Sequence, residues 1–196
     1  MSEFRTLLTK EFLPFGTLSE EQLSALGRHY SLLAQWNQRM NLTRIEKLED
    51  VVSLHYCESL FLGLQLPAGS LRIADVGSGA GFPGFPVAIL RPECSVDLIE
   101  SDRRKAVFLR EACVAPNVRV LSERAESLKL NYDWAISRAV RPREVIDASL
   151  ASNVAMLLNE KDAADASCRI PVPWTPDHFV ALFHVERREP SRHDKI

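Results

Sequence analysis

The stretch Ile73-Ala-Asp75-Val-Gly77-Ser-Gly79-Ala-Gly81-Phe82-Pro83-Gly84 puts four glycines into eight positions, behind a short apolar run and ahead of a helical one. Glycine lets a backbone turn sharply and come close to a ligand. One glycine serves a plain turn; four in so short a span weaken loop and helix unless the loop holds something. At the carboxyl end of the first strand of an open α/β sheet, such a loop lies in the crevice where these folds bind cofactors. The surrounding sequence predicts that sheet. Leu71–Val76, Val96–Glu100, Val118–Leu121, Trp134–Ser137 and Val154–Leu158 read as strands, and Pro83–Arg91, Asp102–Val114 and Arg143–Ala151 as the helices between them. This is the pattern of a parallel sheet covered on both faces. Arg169–Val172 and Phe179–Glu186 flank a Trp174 turn and predict an antiparallel hairpin closing the sheet.

Upstream, the grammar is helical. Ser19-Glu-Glu-Gln22 has capping-box spacing and opens an amphipathic helix to about Asn37. A second helix starts near Glu49 and Asp50 and ends at the Leu66-Pro67 break. The expected organisation is a helical region over 1–66, an α/β domain over 67–190 and a tail over 191–196.

The chain has 196 residues, enough to bury a core without disulfides or metal, and its 24 Lys and Arg against 26 Asp and Glu give a net charge of -2. No overall basic field marks a nucleic-acid binder, so any RNA contact is a local patch. Cys57, Cys94, Cys113 and Cys168 are scattered without a Cys-x-x-Cys pair and read as buried free thiols in a reducing cytoplasm. Charges interrupt every apolar run of the first fifteen residues, against a signal-peptide core, and no run approaches a membrane span. His29, His178, His184 and His193 show no metal-ligand spacing, so no metal is expected.

The glycine pattern leaves two cofactor classes open. Gly79-x-Gly81-x-x-Gly84 matches a dinucleotide fingerprint, and Gly77-x-Gly79-x-Gly81 matches the looser signature of S-adenosylmethionine sites. Starting the dinucleotide register at Gly77 puts Phe82 where the third glycine belongs. The delayed register puts Pro83, which has no N–H, where a pyrophosphate needs donors. Glu100, at the tip of the second strand, fits an acceptor for ribose hydroxyls in either class. Ala125-Glu126 follows the third strand, where a small residue beside an acid suits an adenine ring. Arg138 follows the fourth, where a guanidinium could pair a phosphate or carboxylate or stack on a base. Arg138, Arg141 and Arg143 form the best local basic patch for an RNA backbone, and Asn41 is a candidate for substrate or interdomain contact. His55 sits on an apolar helical face and reads as a core histidine.

Taken in order, these pieces resemble the bacterial 16S ribosomal RNA guanine-N7 methyltransferase family, also called glucose-inhibited division protein B. The resemblance runs from about Leu32 to Val145 and includes Trp36-Asn37, Asn41-Leu42-Thr43, His55-Tyr-Cys-Glu58-Ser59-Leu60 and the Asp75–Gly84 loop. It continues through Glu100-Ser101, Arg104-Lys105, Arg124-Ala125-Glu126 and Ser137-Arg138-Ala139. It implies a Rossmann-like class I methyltransferase sheet with an N-terminal helical addition, S-adenosylmethionine as donor, and a guanine of the small ribosomal subunit as acceptor. Carried over by position, Gly77, Gly79, Phe82, Glu100, Ala125, Glu126 and Arg138 line the cofactor pocket. Glu58 stands for the family's Asp, Arg104-Lys105 reverses the usual basic order, and the segment after Leu150 lacks the family's Pro-Gly-Gly turn and full helix. Rival readings are a methyltransferase for another acceptor and a non-catalytic ribosome- or RNA-binding protein that keeps the nucleoside pocket.

Overall fold

The computed structural model describes residues 2–185. A seven-stranded sheet has the order β3-β2-β1-β4-β5-β7-β6. The strands are β1 (Arg72–Val76), β2 (Ser95–Ile99), β3 (Val118–Leu121), β4 (Trp134–Arg138), β5 (Asn153–Asn159), β6 (Cys168–Pro171) and β7 (His178–His184). The first five are parallel; β7 runs antiparallel to β5, with Met156 opposite Ala181, and β6 antiparallel to β7. The expected α/β sheet and closing hairpin are both present, and the last expected strand residue, Glu186, lies outside the described residues.

Helix α1 (Glu3–Phe12) is followed by α2 (Glu20–Asn37), and then by α3 (Leu48–Asp50), which runs through a π-helical stretch, Val51–Cys57, into α4 (Glu58–Gln65). The capping box at Ser19 is formed: Ser19 Oγ accepts from Gln22 N–H, and Gln22 Oε1 accepts from Ser19 N–H at 2.8 Å. Gln22 also donates through Nε2 to the Ile89 carbonyl at 2.9 Å, tying α2 to α5 (Gly84–Leu90). Of the charges that break up the first apolar runs, Glu3 and Lys10 are exposed and Arg5 and Glu11 half-buried, while Phe4, Leu8 and Phe12, spaced four apart, are buried.

Two further helices are shorter than the sequence predicts. Asp102 caps α6 (Arg103–Ala112) by accepting from Arg104 and Lys105 N–H, and the helix ends where Cys113 leaves helical geometry. Helix α7 (Pro142–Asp147) gives way to a turn in which Ser149 has φ +54°. Between β5 and β6 there is no helix. Asn159 organises a compact turn instead, accepting from Asp162 N–H at 2.9 Å, and Ala163 is fully buried against the sheet.

One face of the sheet and the N-terminal helices share a core, in which Phe4, Leu8, Leu26 and Tyr56 belong to the same cluster as Phe85, Leu98, Phe108 and Ile136. Phe4 stacks on Tyr30 with ring centroids 4.5 Å apart and meets Tyr56 edge-on. The opposite face packs Ala74, Ile99, Val145, Met156 and Phe183 under α7 and the Ala163 turn. Among the described residues, no helix is long and apolar enough to cross a membrane, and no three His, Cys, Asp or Glu side chains are grouped to hold a metal ion.

Candidate functional site

In this strand order the chain reverses direction across the sheet between β1 and β4, and the carboxyl ends of β1 to β4 lie side by side. Ligands bind at that crevice in open α/β sheets. The glycine loop leaves β1 there. Gly77 and Ser78 N–H donate to the Ile99 carbonyl at 2.9 and 3.1 Å, pinning the loop's first turn to the end of β2. Gly79 has φ +56°, a backbone region costly for other residues, and a Cβ built on it meets only the Gly77 carbonyl at 3.8 Å. Its N–H donates to Glu100 Oε2 at 2.9 Å, while Glu100 Oε1 accepts from Asp102 N–H at 2.8 Å. Glu100 is thus buried with one backbone donor on each oxygen, which leaves each oxygen further acceptor capacity.

Beneath the loop lies Asp75, fully buried on β1. Its Oδ2 accepts from Gly84 N–H at 3.0 Å, and its Oδ1 has no partner among the described atoms. Burial pushes its pKa up to about 7, against the nearby Ser78 hydroxyl, which donates to the Asp75 backbone carbonyl at 3.0 Å, and the hydrogen bond from Gly84, with a further push from Glu100. Glycine is required at 84 for space. A Cβ there would collide with Leu98 Cδ2 and sit 2.5 Å from Asp75 Oδ2.

At the end of β4, Ser137 is buried and donates to the Val76 carbonyl at 2.7 Å. Arg138 turns towards the helical region: Nη1 donates to the Leu54 carbonyl in the π-helical stretch and to His55 Nδ1 at 2.8 Å. A guanidinium has only donors, so His55 Nδ1 is the acceptor, and Nε2 carries the proton that goes to Thr43 Oγ1 at 2.8 Å. Burial, then the Arg138 charge and His29, push the His55 pKa down to about 3, which keeps the ring neutral. Burial also pulls the Arg138 pKa below its ordinary value, opposed by Glu58.

Residues 22–159 match the family model described as GidB, rRNA small subunit methyltransferase G. The chain belongs to that family. It is 43% identical over 127 residues to the ribosomal RNA small subunit methyltransferase G of Chromobacterium violaceum, covering 62% of this chain and 60% of that one. With the Nitrosococcus oceani protein of the same name it is 36% identical over 167 residues, 83% and 72% of the two chains. The chain spans about 60% of the length of the first of these relatives. Among solved structures, a SAM-dependent O-methyltransferase of Thermotoga maritima superposes with a TM-score of 0.52 at 17% identity, covering 81% of this chain and 73% of that chain, and so shares its fold.

In this GidB-family chain only some of the residues singled out from sequence come together. Gly77, Gly79 and Glu100 meet at the ends of β1 and β2. Ala125, largely buried, and the exposed Glu126 open a one-turn 3-10 helix, Ala125–Ser127, after the neighbouring β3. The ring of Phe82 lies under the helical region, stacked on His55 at 4.7 Å and met edge-on by Tyr56 at 5.0 Å. The Arg138–Arg143 segment does not form one patch: Arg138 is held inside, Arg141 is exposed ahead of α7, and exposed Arg143 pairs with Asp147 at 3.4 Å. Asn41 is exposed at the tip of its turn.

The residue that shapes that turn is Asn37, whose Oδ1 accepts from Leu42 and Thr43 N–H at 2.9 Å each and whose Nδ2 donates to the Thr43 carbonyl. Asn37, Thr43 and the Leu54 carbonyl were the parts sequence reading missed. The one available signal was the closeness of Trp36-Asn37 and Asn41-Leu42-Thr43 within the family pattern. Asn37 and Thr43 also line a cavity of about 250 Å³ between α2 and the turn, beside the Thr43–His55 bond.

Proposed function

We propose that the chain binds S-adenosylmethionine across the carboxyl ends of β1, β2 and β3 and methylates N7 of a guanine in 16S ribosomal RNA of the small subunit. The carrying observation is the Gly79–Glu100 pair: a left-handed glycine with open space where a side chain would stand, joined by one hydrogen bond to a buried acid with acceptor capacity to spare. That fits a ribose beside a close-lying backbone. Family membership supports the same reading. The bound cofactor supplies an electrophilic methyl group on a sulfonium.

The residues of the chain then bind and orient. Glu100 accepts ribose hydroxyls, and Ala125 and Glu126 border the adenine. Arg138 holds the π-helical stretch against the end of β4, beside the acceptor's approach. Guanine N7 already carries a lone pair, so no side chain has to remove a proton from the nucleophile; alignment is the main task, and good alignment is worth about 7 to 11 kcal/mol. For the RNA backbone, Arg39 and Arg104 both line a groove of about 720 Å³ between the end of α2 and α6, with Trp36 also in its wall. Cations in the first turn of α6 oppose the helix dipole, and a phosphate backbone compensates them.

The test is transfer of tritiated methyl groups to small ribosomal subunits from cells lacking the modification, followed by digestion to nucleosides. Label in 7-methylguanosine is expected; no label from folded protein would overturn the catalytic reading. The compact turn that replaces a helix between β5 and β6 favours the second reading, a binding protein that retains the pocket. Cofactor binding by calorimetry without transfer would select it.

A further inference from the structure

We propose that His29, on α2, is a positioning residue for the cofactor site, holding the glycine loop in its binding shape by a hydrogen bond to the Ala80 carbonyl. The inference rests on the cofactor-binding reading above and gives part of that site to the helical region. His29 is fully buried, with Nε2 3.0 Å from the Ala80 oxygen and Nδ1 2.6 Å from the Tyr56 hydroxyl. A carbonyl only accepts, so Nε2 carries the proton. Burial pushes the His29 pKa down to about 4, so the ring is neutral and Nδ1 accepts from Tyr56 O–H. Both ring nitrogens are used, and the tautomer is fixed by the loop at one end and the π-helical stretch at the other.

The surroundings argue against a mere filler. Phe82, Phe85 and Phe108 have ring centroids 5.3, 4.9 and 6.0 Å from the imidazole, a setting in which a leucine or phenylalanine would bury at lower cost. An imidazole is used where a nearly buried loop carbonyl takes its hydrogen bond from a side chain. Losing that partner leaves the carbonyl unsatisfied. Tyr56 follows His55 in the same stretch, so two successive residues key the helical region into the site, His55 through Arg138 and Tyr56 through His29 and Ala80. Phe82, two residues beyond Ala80, is gripped by all three rings, which limits the loop's freedom on that side.

The test compares His29→Leu, His29→Gln and Leu8→Ala. Leucine removes the donor, glutamine keeps an N–H that can reach the Ala80 oxygen, and Leu8→Ala removes packing from the same core without touching a hydrogen bond. With S-adenosylhomocysteine as probe, calorimetry is expected to show at least tenfold weaker binding for His29→Leu, recovery to within about threefold for His29→Gln, and wild-type affinity for Leu8→Ala. In ligand-free protein the Gly81 and Phe82 amides, both bonded to the Ser78 carbonyl, should exchange faster in His29→Leu only. Wild-type exchange at these amides in His29→Leu, or an equal loss of affinity in Leu8→Ala, overturns the proposal. Wild-type protein that fails to bind the probe while His29→Leu still loosens the loop overturns the cofactor reading and leaves His29 holding the loop.

Discussion

Asp75 and Gly84 show how tightly the floor of the loop is built. Gly84→Ala forces a methyl group into Leu98 and the Asp75 carboxyl, and overpacking of this kind costs about 1 to 3 kcal/mol. Urea unfolding should register that loss as a lower midpoint at unchanged slope. Asp75 adds a pH signature. Its folded pKa, about 7, stands above the 3.8 of an ordinary aspartate, so between those values the folded state holds more protons than the unfolded one. Its contribution to stability is therefore fully present below about pH 4, is lost as pH rises towards 7, and changes little beyond, with a slope of at most about 1.4 kcal/mol per pH unit. Asp75→Asn keeps an acceptor for Gly84 N–H and removes the titration. The stability of Asp75→Asn relative to wild type should thus climb from pH 4 to 7 and then level, and a flat difference would mean that Asp75 is ionised throughout.

At the scale of elements, α2 carries much of the site's support, because His29, Trp36 and Asn37 all stand on it. Its start is fixed by the Ser19 box, and Ser19→Ala should cost about 1 kcal/mol in thermal or urea unfolding. The loss should come without weaker probe binding at temperatures where the variant is folded. The same element marks how far the sequence could be read. The capping box, the apolar period of α2 and the glycine loop are local patterns, and each appears where its residues predict. Strands β1, β2 and β4 were legible because both faces are buried and the runs are correspondingly apolar. Helix α1 was less so: three phenylalanine and leucine positions carry its buried face, while charges and threonines make up most of the rest. The inward turn of Arg138 was not legible at all, since its acceptor is a backbone carbonyl 84 positions earlier in a π-helical stretch. His29 was hidden for a similar reason, as its partners come from the middle of the glycine loop and from the next helical segment.

For the whole molecule, the shared core joins the N-terminal helices to one face of the sheet. Trp36 on α2, Trp134 on β4 and Trp174 in the β6–β7 turn sample both regions, with Trp174 meeting Phe15 and Phe61 edge-on. Tryptophan fluorescence and far-ultraviolet circular dichroism should therefore give coincident unfolding midpoints. A separate earlier step would show that the helices form a unit of their own. The strand order has a final consequence at its rims. A sheet that does not close exposes unpaired N–H and C=O groups along its outermost strands, an invitation to pair with another chain. Here β3 and β6 occupy those positions, each has four residues, and each carries an arginine, Arg119 or Arg169, with Pro171 ending β6. Short, charged borders, one of them stopped by proline, make a poor template for a neighbouring strand, so the seven-stranded sheet can stay open without recruiting an eighth.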